Sequence, residues 1–338
     1  MRSVATRSPY QSIGSGGKRE RIRVVRKNQK EAVPTRSWYP SGMKALLAAR
    51  EKPLIVPGVH DVLSALIAER QGAEAVFLSG YALTASSMGL PDLGYLSLDR
   101  LRDAATSIST RLSIPLLVDA DTGFGNALHV VETTRSLIRA GAKGLFLEDQ
   151  NNPKRCGHMR GKELAPRGDY FGKLRAAIDA RADADFLIVA RTDAIAAAGL
   201  EEAILRANEA QRIGADLLFI EAPEDGEMIR EIAARVPGPK LINLVEGGKT
   251  PHLSREALFE LGFVVHLHPV TGLYAATAAL TEAYGALVGR GSPIDSGEGN
   301  EWRSDVGTDF QTFAELLDLE SYFEQALRYR GDEEDKRE

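Results

Sequence analysis

Cysteine is nearly absent from this chain: Cys156 is the only one in 338 residues, which excludes an intrachain disulfide. Long apolar runs are absent as well. No segment approaches the roughly 20 consecutive apolar residues that a membrane-spanning helix requires. The N-terminus lacks the basic-then-apolar pattern of a secretory signal. These absences favour a cytoplasmic protein without a membrane partner, although some secreted proteins also lack disulfides.

Acidic residues are scarce at the start of the chain. Residues 1–40 contain ten Lys and Arg but only two Asp and Glu, within a chain of net charge −5. We expect this basic arm to be a solvated, poorly ordered extension. Contact with an acidic surface of a partner subunit is the sharper alternative. Nucleic acid is a weaker one, because the arm lacks the aromatic interleaving of single-strand binders, and we predict no nucleic-acid partner.

Eight short apolar runs alternate with segments of helical periodicity beyond the arm. The runs cover residues 54–57, 75–79, 116–121, 144–149, 186–192, 217–222, 240–245 and 263–268. Continuous apolar strands are typical of a parallel sheet covered on both faces. We therefore predict an α/β protein with a closed (β/α)8 barrel of the TIM type. A doubly wound open sheet is the alternative, but Pro57-Gly58 is not followed by the Gly-rich phosphate turn that it needs.

The predicted barrel domain spans residues 41–330, and residues 331–338 form a charged tail. Residues 272–288 predict a helix after the eighth strand, and residues 310–329 predict one more, which is surplus to an eightfold count. This surplus helix could cap the same barrel or pack on a neighbouring subunit. The sequence leaves both arrangements open.

Polar residues follow almost every predicted strand. Because active sites of such barrels lie at the C-terminal ends of the strands, we expect these side chains to form a site there. The candidates in chain order are Ser79, Gly80, Tyr81, Asp119, Asp121, Glu148, Asp149, Arg191, Thr192, Asp193, Glu221, Asn243, Glu246, His266 and His268.

Two of these acids, Asp119 and Asp121, end one strand two residues apart. Alternate strand residues point to the same face, so the two carboxylates should lie together. With Glu148 they predict a site for a hard cation that prefers oxygen ligands, such as Mg²⁺. The alternative is an ion-pair network with Arg191. Arg191 itself is predicted to bind a substrate carboxylate as a two-pronged donor, or to pair with those acids, or both.

The loop after the fourth strand contains the lone thiol, in the sequence Lys154-Arg155-Cys156-Gly157-His158. A thiol flanked by cationic side chains should have a lowered pKa. Gly157 would let the loop approach a ligand. We predict Cys156 and His158 as catalytic residues on a mobile lid.

Seven segments of the sequence resemble the isocitrate lyase / phosphoenolpyruvate mutase superfamily, between about residues 41 and 290. They are Ser79-Gly80-Tyr81, Gly89-Leu90-Pro91-Asp92, Asp119-Ala120-Asp121-Thr122-Gly123-Phe124-Gly125, Glu148-Asp149-Gln150, Lys154-Arg155-Cys156-Gly157-His158, Ala190-Arg191-Thr192-Asp193 and Glu246-Gly247-Gly248-Lys249-Thr250-Pro251. The basic arm lies outside this resemblance.

The resemblance implies a residue-by-residue assignment of the site. Asp119 would hold Mg²⁺ (or Mn²⁺), Asp121 and Glu148 would hold its waters, and Asp92 would support this shell. Glu221 would be a nearby polar or acid/base group, and Cys156 would be the general acid. The residues implied to bind an α-keto or α-hydroxy acid are Ser79, Gly80, Arg191 and Asn243. The resemblance also implies a homotetramer, a dimer of dimers, in which subunits exchange a C-terminal helix.

The implied activity is Mg²⁺-dependent cleavage of a carbon–carbon bond. The substrate would be a small 2-hydroxy di- or tricarboxylate, such as 2-methylisocitrate or dimethylmalate, and one product a keto acid such as pyruvate. Tyr81 is one candidate for the base, and it would also contact substrate. Carboxyphosphonoenolpyruvate-type mutases and oxaloacetate hydrolases or decarboxylases remain alternatives, as does a non-catalytic relative. The sequence Val245-Glu246-Gly247-Gly248 departs from the pattern of 2-methylisocitrate lyases, which favours dimethylmalate-lyase-like or mutase-like members.

Overall fold

A computed structural model describes residues 43–48, 50–154, 162–251, 253–289, 308 and 310–329. The basic arm, the charged tail and the lid residues Cys156, Gly157 and His158 lie outside the described residues. Our predictions for them therefore stay predictions. Among the described helices, none is both long and apolar enough to cross a bilayer.

Eight parallel strands close into a barrel in which each strand pairs with its neighbours in chain order. Closure is completed by β1 and β8, where Leu54 is opposite Val265. The strands are β1 (Leu54–Val59), β2 (Val76–Leu78), β3 (Leu116–Asp119), β4 (Gly144–Glu148), β5 (Leu187–Thr192), β6 (Leu217–Ile220), β7 (Lys240–Asn243) and β8 (Phe263–His268). The predicted barrel is confirmed.

Helices cover the outside of the barrel, and several begin at residues whose side chains cap them. Asp61 and Asn126 each accept backbone N–H bonds at the start of the following helix, which satisfies donors that a helix end leaves unpaired. The helices are α1 (Met43–Ala48), α2 (Val62–Arg70), α3 (Gly80–Met88), α4 (Leu98–Ser109), α5 (Ala127–Arg139), α6 (Arg167–Arg181), α7 (Ala194–Ala198), α8 (Leu200–Ile213), α9 (Gly226–Arg235), α10 (Arg255–Glu260), α11 (Thr271–Gly289), α12 (Phe310–Leu316) and α13 (Leu319–Tyr329).

Two hydrophobic cores hold these layers together. The larger one lies between the barrel and the helices. The smaller one fills the barrel interior, where Phe146 packs edge-on against Phe77 at 4.6 Å and against Phe219 at 6.1 Å between ring centroids. Met43 of α1 belongs to this interior core and is fully buried. The barrel is therefore a packed support for a site at its mouth, not a pore.

The predicted surplus helix over residues 310–329 is two helices rather than one. Asp318 has a φ of 58°, a left-handed conformation that ends α12 before α13 begins. Apolar residues continue through this point, so periodicity alone did not reveal the break.

No residue of α12 or α13 is buried, and Phe310, Phe323 and Leu327 are exposed. Within the chain, α13 is held at Arg111, whose guanidinium donates to the Tyr322 hydroxyl at 2.7 Å. Whether subunits exchange these helices stays a prediction.

Candidate active site

The mouth of the barrel, formed by the C-terminal ends of the strands, contains a cavity of about 260 Å³. The cavity collects side chains from six of the eight strand ends and from α11. Its predicted members are Ser79, Tyr81, Asp92, Asp119, Arg191, Glu221, Asn243 and Glu246. Phe77, Phe146, Phe219 and Leu267, from the interior core, also line it. Eight predicted residues from six separate segments of the chain therefore meet at one place.

The paired acids Asp119 and Asp121 do lie together, but strand alternation is not the reason. β3 ends at Asp119, and Asp121 takes a left-handed conformation with a φ of 47°. The turn bends back, so the Asp121 N–H donates to Asp119 Oδ1 at 3.2 Å. A Cβ added to Gly80 would lie 3.1 Å from Asp119 Oδ2 and 3.3 Å from Asp121 Oδ1. Both carboxylates thus close on the backbone of Gly80, where a side chain would press against them.

Ser79 and Gly80 form the start of α3 beside these acids. Ser79 Oγ accepts the Ala82 N–H at 3.3 Å, and the Gly80 N–H donates to Asp119 Oδ2 at 3.3 Å. The backbone N–H of Gly80, a residue that the resemblance implies to bind substrate, is thus directed at Asp119. This contact orients Asp119 at the edge of the cavity.

A buried lysine, which sequence reasoning noted only as a neighbour of the thiol, lies among the acids. Lys154 Nζ is 2.6 Å from Asp92 Oδ1 and 2.8 Å from Asp121 Oδ1, and its side chain is 3% exposed. Its ammonium group therefore supplies positive charge that two carboxylates of the predicted metal site would otherwise lack. The sequence signal was its position in the loop after the fourth strand.

The carboxylate of Glu148 is buried with few groups near it that would stabilise its negative charge. Neither of its carboxylate oxygens accepts a hydrogen bond from a described residue, although Arg191 Nη1 lies 3.2 Å from Oε2. Burial raises its pKa well above the usual range, against the effect of Arg191 and Lys154. Burial likewise raises the pKa of Asp121 to about 7, against the effect of Lys154. These carboxylates lack enough positive charge and enough donors.

This set of oxygen atoms fits a hard divalent cation. The oxygens of Glu148, which accept no hydrogen bond from a described residue, together with Asp92, Asp119 and Asp121 offer the ligand type that such ions prefer. Among the described residues, however, no three Asp, Glu, His or Cys side chains already converge on one point. Lys154 lies between Asp92 and Asp121, so a metal ion bound there would have to share or replace its ammonium group.

Arg191 is held in place by Asp193, a pairing that the sequence did not predict. Its Nε and Nη2 donate to the two oxygens of Asp193 at 3.0 and 3.1 Å, and its guanidinium lies 5.4 Å above the Phe219 ring. Lys162 Nζ adds a 2.8 Å ion pair to Asp193. Burial opposes ionisation of Asp193, but Arg191 and Lys162 outweigh it and lower its pKa to about 2. Of the three acids considered as its ion-pair partners, Arg191 pairs with Glu148, toward which its remaining Nη1 is directed.

A second buried network supports this arginine without lining the cavity. Asp149 accepts the Thr192 hydroxyl at 2.6 Å and the Asp193 N–H at 2.8 Å, and Arg206 Nη1 donates to it at 3.2 Å. Burial raises the pKa of Asp149 to about 6. The network ties the end of β5 to α8, so the position of Arg191 depends on residues far from the cavity.

Glu221 and Asn243 face each other across the ends of β6 and β7. The Asn243 amide nitrogen lies 3.4 Å from both Glu221 oxygens, and Glu221 is 2% exposed. Tyr81, at the start of α3, lines the same cavity. A substrate in the cavity would therefore contact a carboxylate, an amide, a phenol and a guanidinium.

The family profile described as phosphoenolpyruvate phosphomutase matches residues 43–287. This chain belongs to that family. It is 44% identical to carboxyvinyl-carboxyphosphonate phosphorylmutase of Arabidopsis thaliana over 82% of this chain and 80% of that protein. It is also 41% identical to 2,3-dimethylmalate lyase of Eubacterium barkeri, over 72% of this chain and 84% of that protein.

Solved structures of related proteins have the same fold as this chain. A 2,3-dimethylmalate lyase structure superposes with a TM-score of 0.77 at 33% identity, covering 87% of this chain and 96% of that one. A phosphonopyruvate hydrolase in complex with oxalate and Mg²⁺ superposes with a TM-score of 0.74 at 27% identity, covering 86% and 99%. The predicted superfamily is confirmed, and so is the prediction of an enzyme of the lyase type.

Proposed function

We propose that this chain is a Mg²⁺-dependent lyase that cleaves a small 2-hydroxy di- or tricarboxylate into a keto acid and a second carboxylate. The observation that carries the proposal is the cavity at the barrel mouth. There the guanidinium of Arg191 lies beside a cluster of four carboxylates, of which Asp92 and Asp119 line the space of about 260 Å³. An anionic substrate needs the former, and a hard cation needs the latter. The lyase within the family supports this choice of reaction.

The metal and the substrate divide the site between them. Asp119, Asp121, Glu148 and Asp92 would hold Mg²⁺ directly or through water. When bound, Mg²⁺ would supply positive charge for the oxygens of the keto acid and for the enolate-type anion. Arg191, Ser79, Gly80 and Asn243 would bind the carboxylate and hydroxyl of the substrate.

The reaction needs one base and one acid. The base removes the proton of the hydroxyl on carbon 2, and the oxygen becomes the new keto group as the bond between carbons 2 and 3 breaks. The electron pair of that bond goes to carbon 3, where Cys156 returns a proton. Tyr81 and Glu221 line the cavity, and we propose one of them as the base. His158 would keep the thiol reactive on the lid, and Gly157 would let the lid approach substrate.

Replacing Cys156 with serine is expected to lower kcat by about 10³-fold or more, because a serine hydroxyl is a far weaker acid than a thiol. Mg²⁺ affinity should be unchanged, since no proposed metal ligand is altered. Turnover is measured as keto-acid release from 2,3-dimethylmalate and 2-methylisocitrate, and metal affinity by calorimetry. A wild-type enzyme that releases no keto acid from either compound with Mg²⁺ present would contradict the proposed function.

A phosphonate-forming mutase is the second candidate, favoured by the 44% identity to the Arabidopsis phosphorylmutase. Phosphorus NMR of a reaction with carboxyphosphonoenolpyruvate separates the two. A new resonance from a carbon–phosphorus bond would establish the mutase, and an unchanged spectrum with keto-acid release from dimethylmalate would establish the lyase.

Replacing Lys154 with methionine is expected to tighten Mn²⁺ or Mg²⁺ binding by about tenfold, because the ammonium no longer competes for Asp92 and Asp121. The metal-free protein should lose about 3–5 kcal/mol of stability, as buried carboxylates lose their partner. Calorimetry gives the affinity, and denaturant unfolding gives the stability.

Lys162→Met is the matched control for that change. It breaks a comparably buried pair with Asp193, so stability should fall, but metal affinity should not rise. Equal or weaker metal binding by Lys154→Met would show that the lysine does not compete with the ion.

We also propose that the enzyme is a cytoplasmic homotetramer. The exposed apolar residues of α13 support an assembly.

The basic arm is not needed for the proposed chemistry, so deleting residues 1–40 should leave turnover intact. A non-catalytic relative would instead lose a partner on that deletion.

A further inference from the structure

The cavity has two unlike sides. Its polar side contains Asp92, Asp119 and Arg191. The opposite side, which we call the apolar wall, consists of Val245, Pro269, Val270 and Tyr274, contributed by the segments after β7 and β8 and by α11. Resting on the proposed lyase function, we propose that this wall receives an alkyl substituent on carbon 3 of the substrate and rejects a third carboxylate. The substrate is then an alkylated 2-hydroxy dicarboxylate.

The apolar wall is held in place by backbone contacts. The Leu244 N–H donates to the Leu267 carbonyl at 2.8 Å, which joins the segments that lead to Val245 and Val270. The Tyr274 N–H donates to the Val270 carbonyl at 2.9 Å. Below, Gly58 of β1 lies so close that an added Cβ would be 2.0 Å from the Pro269 carbonyl oxygen. Pro269 is therefore fixed against β1, and the backbone contacts link the other wall residues to it.

The charges around the wall oppose an additional carboxylate. Among the described residues that line the cavity, Arg191 is the one cation, and it lies on the polar side. Glu246 also lines the cavity and follows Val245 directly. The nearby Lys249 is directed to Glu224, with 3.2 Å between Nζ and Oε1. A third carboxylate would thus lose water against apolar side chains and would meet a negative charge.

Wild-type enzyme with saturating Mg²⁺ tests this with three substrates that differ only at carbon 3. These are 2,3-dimethylmalate, its 3-isobutyl analogue, and 2-methylisocitrate, whose carboxymethyl group matches isobutyl in shape but carries a charge. We expect kcat/KM for both alkyl compounds to exceed that for 2-methylisocitrate by at least about 100-fold. A higher kcat/KM for 2-methylisocitrate than for either alkyl compound would overturn the inference.

Two variants test whether the wall residues cause the preference for the alkyl compounds over 2-methylisocitrate. Val245→Arg should shift the ratio of kcat/KM values at least tenfold toward 2-methylisocitrate, since it adds a cation to the wall. Glu246→Gln should shift that ratio in the same direction by a smaller factor. Leu205→Arg, an added cation on α8, is the control and should leave the ratio as it is. An unshifted ratio in both wall variants would also overturn the inference.

A binding measurement separates this inference from the proposed reaction. Calorimetry with Mg²⁺ present compares 2,3-dimethylsuccinate with propane-1,2,3-tricarboxylate, neither of which can be cleaved. Tighter binding of the alkyl compound without turnover of any substrate would contradict the lyase reaction but support the wall. Tighter binding of the tricarboxylate, or no binding of either compound, would overturn the inference.

Discussion

Arg191→Lys is expected to lower kcat/KM by about 10²–10³-fold, because a lysine cannot hold Asp193 through two parallel hydrogen bonds and still present a charged donor to substrate. In the structure Nε and Nη2 are committed to Asp193, and Nη1 lies 3.2 Å from Glu148. A lysine would pair with one of these acids and leave the cavity without its oriented cation. The ammonium also cannot spread over the Phe219 ring as the guanidinium does.

The loss should appear mainly in kcat/KM, measured with 2,3-dimethylmalate. Fold stability should change by much less, since one positive charge remains beside Asp193. Arg206→Lys is the matched control, because Arg206 is equally buried but pairs with Asp149 and Glu202 outside the cavity. That variant should lose stability and lower kcat/KM by a much smaller factor than Arg191→Lys does, because it acts on the site only through the support of Arg191. Comparable losses of activity in both variants would assign Arg191 to the fold instead of the reaction.

Asp119→Asn is expected to lower kcat/KM by about 10³-fold and to weaken Mn²⁺ binding by about 100-fold or more. Asp119 lines the cavity and is oriented by two backbone N–H groups, those of Gly80 and Asp121. An amide keeps the shape of the side chain but removes the charge that a dication needs. Electron paramagnetic resonance of bound Mn²⁺ measures the affinity without reliance on turnover.

Asp149→Asn serves as the comparison for this loss of charge. Asp149 is fully buried one residue after Glu148, yet it contacts Thr192, Asp193 and Arg206 and does not line the cavity. Its replacement should reduce stability while Mn²⁺ affinity stays within a few-fold. Unaltered Mn²⁺ binding by Asp119→Asn would remove Asp119 from the proposed metal site.

The Arg191→Lys and Asp119→Asn predictions concern the cation and the carboxylates of the same buried cluster. Carboxylates with raised pKa values, Asp121 and Glu148, lie next to an arginine and a lysine that do not fully compensate them. Burying such groups costs stability that hydrophobic substitutes would not cost. A site that binds a dication and an anionic substrate gives a physical reason for retaining them.

Much of the barrel was predictable from local patterns. All eight strands lie within one or two residues of the predicted runs, because a parallel strand buried on both faces needs a continuous apolar segment. The carboxylates, Arg191, Glu221 and Asn243 could also be placed at the mouth, since the chain returns each strand end to the same side of the barrel. The residue pattern gave the wrong prediction at Asp121 and at Asp318. Each residue has a left-handed backbone conformation that lies beyond the end of a strand or a helix, although the polar and apolar pattern of the sequence continues through it.

The sequence by itself therefore determined which chemical groups lie at the mouth of the barrel, because strand ends and apolar runs are local features. It did not determine which residues these groups contact. Lys154 among the acids, Asp193 and Lys162 behind Arg191, and the apolar wall opposite them depend on contacts between residues distant in sequence. Folding brings those residues together through barrel closure, and no periodicity in the chain records which side chain will face which.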